Sequence, residues 1–271
     1  MNHYLLLGII LCVNLGCDKD MVAKPEDSIL ADREMVLIPA GPFIMGSNRG
    51  DISEQPAHTV SLNAFYIDKF EVTIAQYVDF LNATSKTTDD QGRLLIALED
   101  VPIIRQTEEG YEWTFSPSSR QPITHVSWYG ARAYCQWAGL RLPTEAEWEK
   151  AARGPDDRTY PWGEGIDDTK ANYLGGIRRA AVVGSYPDGA SPYGAQDMAG
   201  NVWEWVFDWF EVEYYATSPG HNPSGPADGS LKAMRGGSWA NRFPYLTVTT
   251  RTGIAPDQAG NVAGFRCAID L

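Results

Sequence analysis

The chain has 271 residues, in which 35 aspartates and glutamates outnumber 22 lysines and arginines and give a net charge of −13 with a pI near 4.7. This acidic balance argues against nucleic acids and anionic membrane surfaces as partners, and it suits either cation binding or simply a solvated acidic surface. The length allows one domain of about 240 residues with an N-terminal appendage.

The N-terminus is predicted to be a signal peptide covering residues 1–17. Tyr4–Leu15 is an apolar run of signal-peptide length, too short to span a bilayer comfortably as a mature helix. The three residues that end at Cys17 are typical of a bacterial lipobox, which would place a lipid on that cysteine. Residues 18–33 would then be a flexible tether to a domain spanning residues 34–271. An ordinary signal peptide with an incidental cysteine is the alternative.

The domain is predicted to begin with strands. Glu34–Gly46 and His58–Phe70 alternate apolar with polar residues and carry β-branched and aromatic side chains. Thr73 and Gln76 have the spacing of a capping box, which predicts a helix through about Leu81.

Two further helices are expected. Ser127 is placed to start the first of them, and Gly139 is placed to end it. Thr144 and Glu147 have the spacing of a second capping box, and Gly154 is the expected residue just after that helix.

The segment Ala83–Gln121 is predicted to be an insertion. Within it, Arg93–Leu98 and Tyr111–Phe115 could pair as a hairpin whose turn lies at Thr107–Gly110. From Pro155 onward, glycine, proline, asparagine and aspartate recur every few residues, which indicates turns and short strands. Composition and pattern therefore predict a mixed, loop-rich single domain.

Glycines lie beside large aromatic residues in three blocks of the C-terminal third. These are Gly200–Trp205 (GNVWEW), Arg235–Trp239 (RGGSW) and Gly264–Cys267 (GFRC). Four blocks precede them, namely Met35–Gly46 (MVLIPAGPFIMG), Phe70–Tyr77 (FEVTIAQY), Val126–Trp137 (VSWYGARAYCQW) and Arg141–Gly154 (RLPTEAEWEKAARG). In this order they resemble the motifs of the formylglycine-generating enzyme (sulfatase-modifying factor) family. The resemblance implies an α+β, C-type-lectin-like fold, rich in loops, with short strands and a few helices.

Cys135 and Cys267 match a disulfide-forming pair of that family. Cys12 would leave with the signal peptide and Cys17 would carry the lipid, so the other two cysteines form an even pair in an exported domain. Two buried free thiols are the alternative.

A calcium site is expected between Asp197 and Glu204. Two carboxylates seven residues apart, with the flexible Gly200 between them, can converge on a hard cation while backbone carbonyls complete the shell. The resemblance maps one family calcium site onto the side chains of Asp197 and Glu204 and the carbonyls of Gly200 and Val202. The alternative is a glycine turn with Glu204 in a surface ion pair.

Copper chemistry is not expected. The oxygen-activating members of the family hold Cu(I) with two cysteines just after the Gly-Gly-Ser-aromatic block, where this chain has Asn241 and Leu246. Thiolates are the natural ligands of Cu(I), and neither an amide nor an isobutyl group replaces them. No catalytic residue is therefore assigned. The pocket is expected to bind a polar or anionic ligand instead, with Trp203, Ser238, Asn241, Arg242, Tyr245, Leu246 and Arg251 around it.

A separate contact surface is expected from Trp209, Phe210, Tyr214 and Tyr215, because aromatic side chains with polar tips suit sugar or peptide recognition.

These features predict a lipid-anchored, calcium-stabilised binding or structural protein of the bacterial cell envelope, whose ligand is a peptide, a glycan or another envelope protein and not a nucleic acid. The alternative is an envelope oxidoreductase of the family, of the formylglycine-generating or a tailoring type, that uses a different metal site. No pair of histidines shows a metal-ligand spacing that would identify such a site.

Overall fold

The computed structural model describes residues 33–271. The expected signal peptide, the lipidation site Cys17 and the expected tether up to residue 32 lie outside the described residues. Within the described part of the chain, no helix has both the length and the apolar character that crossing a membrane requires.

Short strands in four small sheets make up the β-structure of residues 33–271. They are β1 (Met35–Ile38), β2 (Gly41–Met45), β3 (His58–Leu62), β4 (Phe65–Asp68), β5 (Ile104–Thr107), β6 (Gly110–Trp113), β7 (Trp203–Trp209), β8 (Lys232–Arg235), β9 (Arg251–Ile254), β10 (Ala263–Phe265) and β11 (Ala268–Asp270). One sheet has the order β1-β4-β11, and another has the order β10-β7-β8-β9. Strands β2 and β3 pair as a hairpin, as do β5 and β6. The neighbours in these sheets are antiparallel except for β10 and β7, which are parallel.

The helices begin where the capping residues predict. They are α1 (Ile74–Thr84), α2 (Trp128–Trp137) and α3 (Glu145–Arg153). Thr73 and Gln76 form a reciprocal capping box at the start of α1, and Thr144 and Glu147 form one at the start of α3. Ser127 accepts a hydrogen bond from the Gly130 amide at the start of α2.

The hairpin within the insertion is paired differently from the sequence prediction. Strand β6 pairs with β5, so Arg93–Leu98 is not its partner. Leu94 instead makes an isolated bridge with Thr88, and Ile96 makes one with Val126. The turn at Thr107–Gly110 is as predicted. A two-residue loop there brings together the residues that directly flank it, which explains why β5 and not Arg93–Leu98 is the partner of β6.

Two large hydrophobic clusters and one small one are buried in residues 33–271, and the larger of the two large ones lies between α1, α2 and the sheet that contains β7. Tyr77 of α1 stacks on Tyr134 of α2 with ring centroids 5.7 Å apart. The disulfide between Cys135 and Cys267 lies in the same cluster, with a Cα–Cα distance of 5.7 Å. It joins α2 to the residue just before β11, so the C-terminal strands are fixed to the helical side of the molecule. The fold is α+β, with β7 at its centre.

Candidate functional site

A cluster of buried charged side chains lies at the start of β7. Glu71, Asp197 and Glu204 are all buried, and so is Arg266 beside them. Arg266 donates from Nη2 to Glu204 Oε1 and from Nε to Glu204 Oε2, each at 2.7 Å. The Trp148 indole donates to Glu204 Oε2 at 2.8 Å. Three carboxylates therefore share one guanidinium in the interior of the protein.

Two of these carboxylates have raised pKa values. Burial, together with the charges of Asp197 and Glu204, raises the pKa of Glu71 well above its ordinary value. Burial and the charge of Glu204 raise the pKa of Asp197 to about 6, although the amide of Gly184 and the Arg266 guanidinium oppose the shift. The cluster carries more negative charge than Arg266 can balance.

The turn before β7 holds the cluster in place. Asp197, Gly200 and Asn201 have φ values of 58°, 81° and 59°. A Cβ on Gly200 would lie 2.3 Å from the carbonyl oxygen of Asn172, so only glycine fits there. The side-chain nitrogen of Asn201 (Nδ2) donates to Glu71 Oε2 at 2.9 Å, and its Oδ1 accepts a hydrogen bond from the backbone amide of Ala181 at 2.8 Å. This turn thus carries Asp197 and Asn201 into one buried polar network with Glu71.

One atom of this network has no hydrogen-bond partner among the described residues. It is Oε1 of Glu71, whose side chain is 1% exposed. Buried polar atoms are nearly always paired, so an orphaned carboxylate oxygen indicates a missing proton or ligand. Glu204 Oε1 accepts one hydrogen bond and so retains a lone pair. Across residues 33–271, however, no three Asp, Glu, His or Cys side chains already converge as a metal-binding group.

The structure thus places the two sequence-predicted carboxylates, Asp197 and Glu204, in one cluster. Glu204 makes a buried ion pair with Arg266 and not the surface ion pair considered as the alternative. The sequence prediction missed Glu71, which follows Phe70 and precedes Val72. A charged residue between two apolar residues, just after a predicted strand, is the sequence pattern that could have indicated its burial.

A cavity of about 1320 Å³ lies between the loop after β2 and the segment that contains β9. Of the residues predicted to surround a pocket, Trp203, Asn241, Tyr245 and Arg251 line it. Ser238 is buried beside Asn241, and Arg242 is exposed. The cavity thus brings together four of the seven residues that were expected around a ligand pocket.

The Asn241 carboxamide is occupied within the protein. Its Oδ1 accepts hydrogen bonds from the Ser238 backbone amide at 3.0 Å, the Ser238 hydroxyl at 2.7 Å and the Trp203 indole at 3.0 Å. Leu246 has no exposed surface and packs in a small cluster with Tyr160 and Ala199. Leu246 is thus part of the hydrophobic interior behind the cavity and not of its surface, which corrects its expected role.

The role expected of Arg251 is also wrong. Its Nε and Nη2 donate to the two carboxylate oxygens of Glu145 at 2.7 Å, and Nη1 donates to the backbone carbonyls of Ser53 and Glu211 at 2.8 and 3.0 Å. The guanidinium is therefore buried and hydrogen-bonded within the protein, so it is not available to a ligand in this structure. Tyr245, which lines the cavity, is instead 57% exposed, and Phe243, two residues before it, is 53% exposed.

The expected aromatic contact surface is largely absent. Tyr214 and Tyr215 are buried, and Trp209 and Phe210 are only partly exposed. The exposed aromatic side chain of β7 is Phe207, which the sequence prediction did not single out.

Residues 21–271 match the family described as the sulfatase-modifying factor enzyme 1-like domain. The chain is 40% identical to "Serine/threonine-protein kinase pkn1" of Chlamydia caviae, in an alignment that covers 87% of this chain but only 38% of that protein's length. It is 35% identical to the formylglycine-generating enzyme of Streptomyces coelicolor, covering 92% of this chain and 91% of the enzyme. It is 31% identical to the mouse protein named "Inactive C-alpha-formylglycine-generating enzyme 2", covering 97% and 93%.

Two solved structures are similar to the whole domain. PvdO from Pseudomonas aeruginosa has a TM-score of 0.71 and 28% identity, covering 88% of this chain and 95% of that one. Treponema denticola variable protein 1 has a TM-score of 0.67 and 26% identity, with the same coverage. The α+β, loop-rich fold, with its three helices and small sheets, is the fold of these structures.

Proposed function

This chain belongs to the sulfatase-modifying factor enzyme 1-like family, and on that premise we propose that it is a calcium-stabilised binding protein that does not carry out copper-dependent formylglycine generation. The main support for the proposal is the environment of the Asn241 and Leu246 side chains. The first is an amide whose oxygen accepts three hydrogen bonds from neighbouring groups, and the second is a buried aliphatic side chain. The mouse relative named as inactive supports the same conclusion.

The residues near these two positions do not fit copper. Cu(I) is a soft ion that binds thiolate, thioether or imidazole ligands. Residues 240–252 contain no cysteine, methionine or histidine. The cavity beside Asn241 has instead an aromatic and hydroxyl-rich wall, with Thr247, Thr249 and Thr250 among its residues. Such a wall is suited to hydrogen bonding and stacking with a bound molecule.

Copper-loaded protein is expected to leave a cysteine-containing, sulfatase-type peptide unchanged in mass after incubation with reductant and oxygen. The reason is the absence of a thiolate pair to bind and activate the metal. Mass spectrometry of the peptide measures the outcome, and the Streptomyces coelicolor enzyme run in parallel is the positive control. Aldehyde formed over several turnovers would contradict the proposal. Stoichiometric iron in the purified protein would favour the oxidoreductase alternative.

We propose that the ligand of the large cavity is a peptide segment of an envelope protein, with a glycan as the alternative. Tyr245 lines the cavity and exposes large aromatic surface, and Phe243 is exposed two residues before it. Leu174 is exposed next to Asn241, whose carbonyl accepts a hydrogen bond from the Leu174 amide. Exposed apolar groups grouped beside a cavity favour a protein partner. Peptide and glycan arrays probed with the wild-type protein would separate the two classes.

We propose that calcium binds at the acidic cluster. The residues that would hold it are Asp197, Glu204 and the carbonyls of Gly200 and Val202, together with Glu71, whose Oε1 has no partner. Carboxylate and carbonyl oxygens are the ligands that Ca²⁺ selects. When bound, the ion would supply positive charge to a buried cluster in which Arg266 faces three carboxylates. Its role would be to stabilise the turn that carries Trp203 into the wall of the cavity.

Removing calcium with a chelator is expected to lower the melting temperature by about 5 to 11 °C, if the ion was present at about 100 times its Kd. The effect should be larger at pH 7.5 than at pH 5. Because the pKa of Asp197 is raised to about 6, the metal-free folded protein binds a proton there more tightly than the unfolded chain does. The metal-free protein thus loses stability as the pH rises through 6, where calcium can replace the proton.

The matched variants are Asp197→Asn and Asp188→Asn, since Asp188 is an exposed aspartate outside the cluster. Calcium should raise the melting temperature of Asp188→Asn as it does for the wild type, and should raise that of Asp197→Asn much less. Equal calcium responses of all three proteins, measured by differential scanning calorimetry, would rule out this site.

We also propose that the protein is lipid-anchored at Cys17 in the cell envelope, on the strength of the apolar run and lipobox-like residues at the N-terminus. Full-length protein expressed in a bacterial host should partition into a detergent phase, and Cys17→Ser should partition into the aqueous phase. Identical partitioning of the two proteins would remove the anchor from the proposal.

A further inference from the structure

A second cavity, of about 390 Å³, lies on a part of the surface that shares no residue with the first. Its apolar wall is formed by Leu62, Phe65, Leu142 and Phe207. The first three are buried, whereas the Phe207 side chain is 41% exposed. The volume is within the range of small-molecule sites in proteins.

Phe207 projects outward from β7 between the buried Val206 and Asp208. Its ring centroid lies 6.4 Å from that of the buried Trp128, and the ring also lines the cavity. Its backbone carbonyl accepts a hydrogen bond from Lys232 Nζ at 2.8 Å, and that ammonium lies 5.3 Å from the Phe207 ring centroid. A buried positive charge thus lies directly behind the exposed ring.

The polar side chains around the ring fall into two groups. Arg141 donates hydrogen bonds to both Glu147 and Asp270 along one side of the cavity. Thr144 and Asn222 also accept hydrogen bonds, from the backbone amides of Glu147 and Asn63, whereas four polar side chains make no hydrogen bond or ion pair with another described residue. These are Arg132 and Gln136 of α2, Asn63 after β3, and Ser224.

Arg132 is the unbalanced charge of this cavity. Arg141 is offset by Glu147 and Asp270, whereas Arg132 has no carboxylate partner and lies close enough to Lys232 for the two cations to repel each other. Its guanidinium lies 5.6 Å from the Trp128 ring centroid, which keeps it beside the cavity. In a protein with a net charge of −13, an unpaired arginine in a concave, partly apolar site is a ready partner for a carboxylate.

We propose that this cavity binds an acidic sugar, with the sugar ring against Phe207, its carboxylate on Arg132 and its hydroxyls on Gln136, Asn63 and Ser224. A sugar ring has one flat face of C–H groups that packs on an aromatic ring, and its hydroxyls need both donors and acceptors, which amide and hydroxyl side chains supply. A peptide would instead need backbone partners along an extended groove, whereas this cavity of about 390 Å³ is lined by the polar side chains that a single sugar needs. The site is independent of the peptide site proposed at the larger cavity.

The test is saturation-transfer NMR and calorimetry of the full chain with glucuronic acid, glucose and an unrelated acidic peptide. The variants are Arg132→Gln, on the exposed face of α2, and Phe207→Ser, with Phe243→Ser as a matched exposed-aromatic control at the other cavity. Thermal melts by circular dichroism establish that each variant is folded. Arg132→Gln is expected to fold normally because its side chain is exposed, so the test does not depend on Phe207→Ser.

Wild-type protein is expected to bind glucuronic acid at least about tenfold more tightly than glucose, and the acidic peptide should not displace the bound glucuronic acid. Arg132→Gln should abolish the preference for the acid, Phe207→Ser should weaken the binding of both sugars, and Phe243→Ser should change neither. The proposal is overturned if wild-type protein binds no glucuronic acid or binds the two sugars equally, if the acidic peptide displaces glucuronic acid, or if Arg132→Gln retains the preference.

Discussion

Replacing both Cys135 and Cys267 with alanine is expected to lower the free energy of unfolding by about 3 to 5 kcal/mol. The disulfide closes a loop with a sequence separation of 132 residues, and a cross-link across a long loop removes much conformational entropy from the unfolded chain. Both cysteines are buried in the larger hydrophobic cluster, so the variant also loses packed sulfur atoms. Urea unfolding monitored by tryptophan fluorescence would measure the difference.

The control for this variant is wild-type protein in the presence of a strong reductant. Reduction breaks the same link without changing side-chain volume much, so the reduced protein should lose a similar amount of stability. A double-alanine variant within about 1 kcal/mol of the oxidised wild type would show that the link contributes little. Mass spectrometry of non-reduced peptides should confirm that these two cysteines are joined in the purified protein.

The features of the fold that sequence reasoning located correctly are local ones. Thr73 with Gln76 and Thr144 with Glu147 form capping boxes because each pair lies within a single helical turn. The prediction of the hairpin in the insertion was correct for the turn and for one strand only. Nothing in the sequence near Arg93–Leu98 indicates its bridges to Thr88 and Val126. Strand pairing at a distance is decided by which side chains can be buried together, and single-sequence patterns carry little of that information.

In the candidate site, too, the contacts between residues close in sequence were predicted and the long-range contacts were not. Asp197 and Glu204 could be placed together because the turn between them is short. Glu71 and Arg266 join them from elsewhere in the chain, three residues after β4 and just after β10. The error at Arg251 has the same cause, because Glu145 is 106 residues away in the sequence.

Arg251→Met is expected to lower the free energy of unfolding by about 3 to 5 kcal/mol. Both carboxylate oxygens of Glu145 accept hydrogen bonds from Arg251 at 2.7 Å, and both side chains are buried. Removing the guanidinium leaves Glu145 with the more distant Arg235, at 3.4 Å, as its cationic partner. It also leaves the carbonyls of Ser53 and Glu211 without their donor. Methionine fills similar volume, so the loss reports charge and hydrogen bonding more than packing.

The pH dependence of this loss follows from Glu145. Burial alone would raise its pKa, but the Arg251 and Arg235 guanidiniums hold the pKa below the ordinary value of 4.5. A lowered folded pKa contributes stability that is fully present above the unfolded value and is lost as the pH falls through the folded one. The difference in the free energy of unfolding between wild type and Arg251→Met should therefore be largest at pH 7 and should shrink below pH 4.5.

A double-mutant cycle separates the ion pair from the rest of the effect. Glu145→Met combined with Arg251→Met should cost less than the sum of the two single variants, because neither charge is then left buried without its partner. Arg105→Met is the matched surface control, since its pair with Glu112 is exposed and should contribute less than about 1 kcal/mol. If urea unfolding shows Arg251→Met to be no more destabilised than Arg105→Met, its guanidinium does not hold the wall of the cavity together. The residue would then be free to bind a ligand, as the sequence alone had indicated.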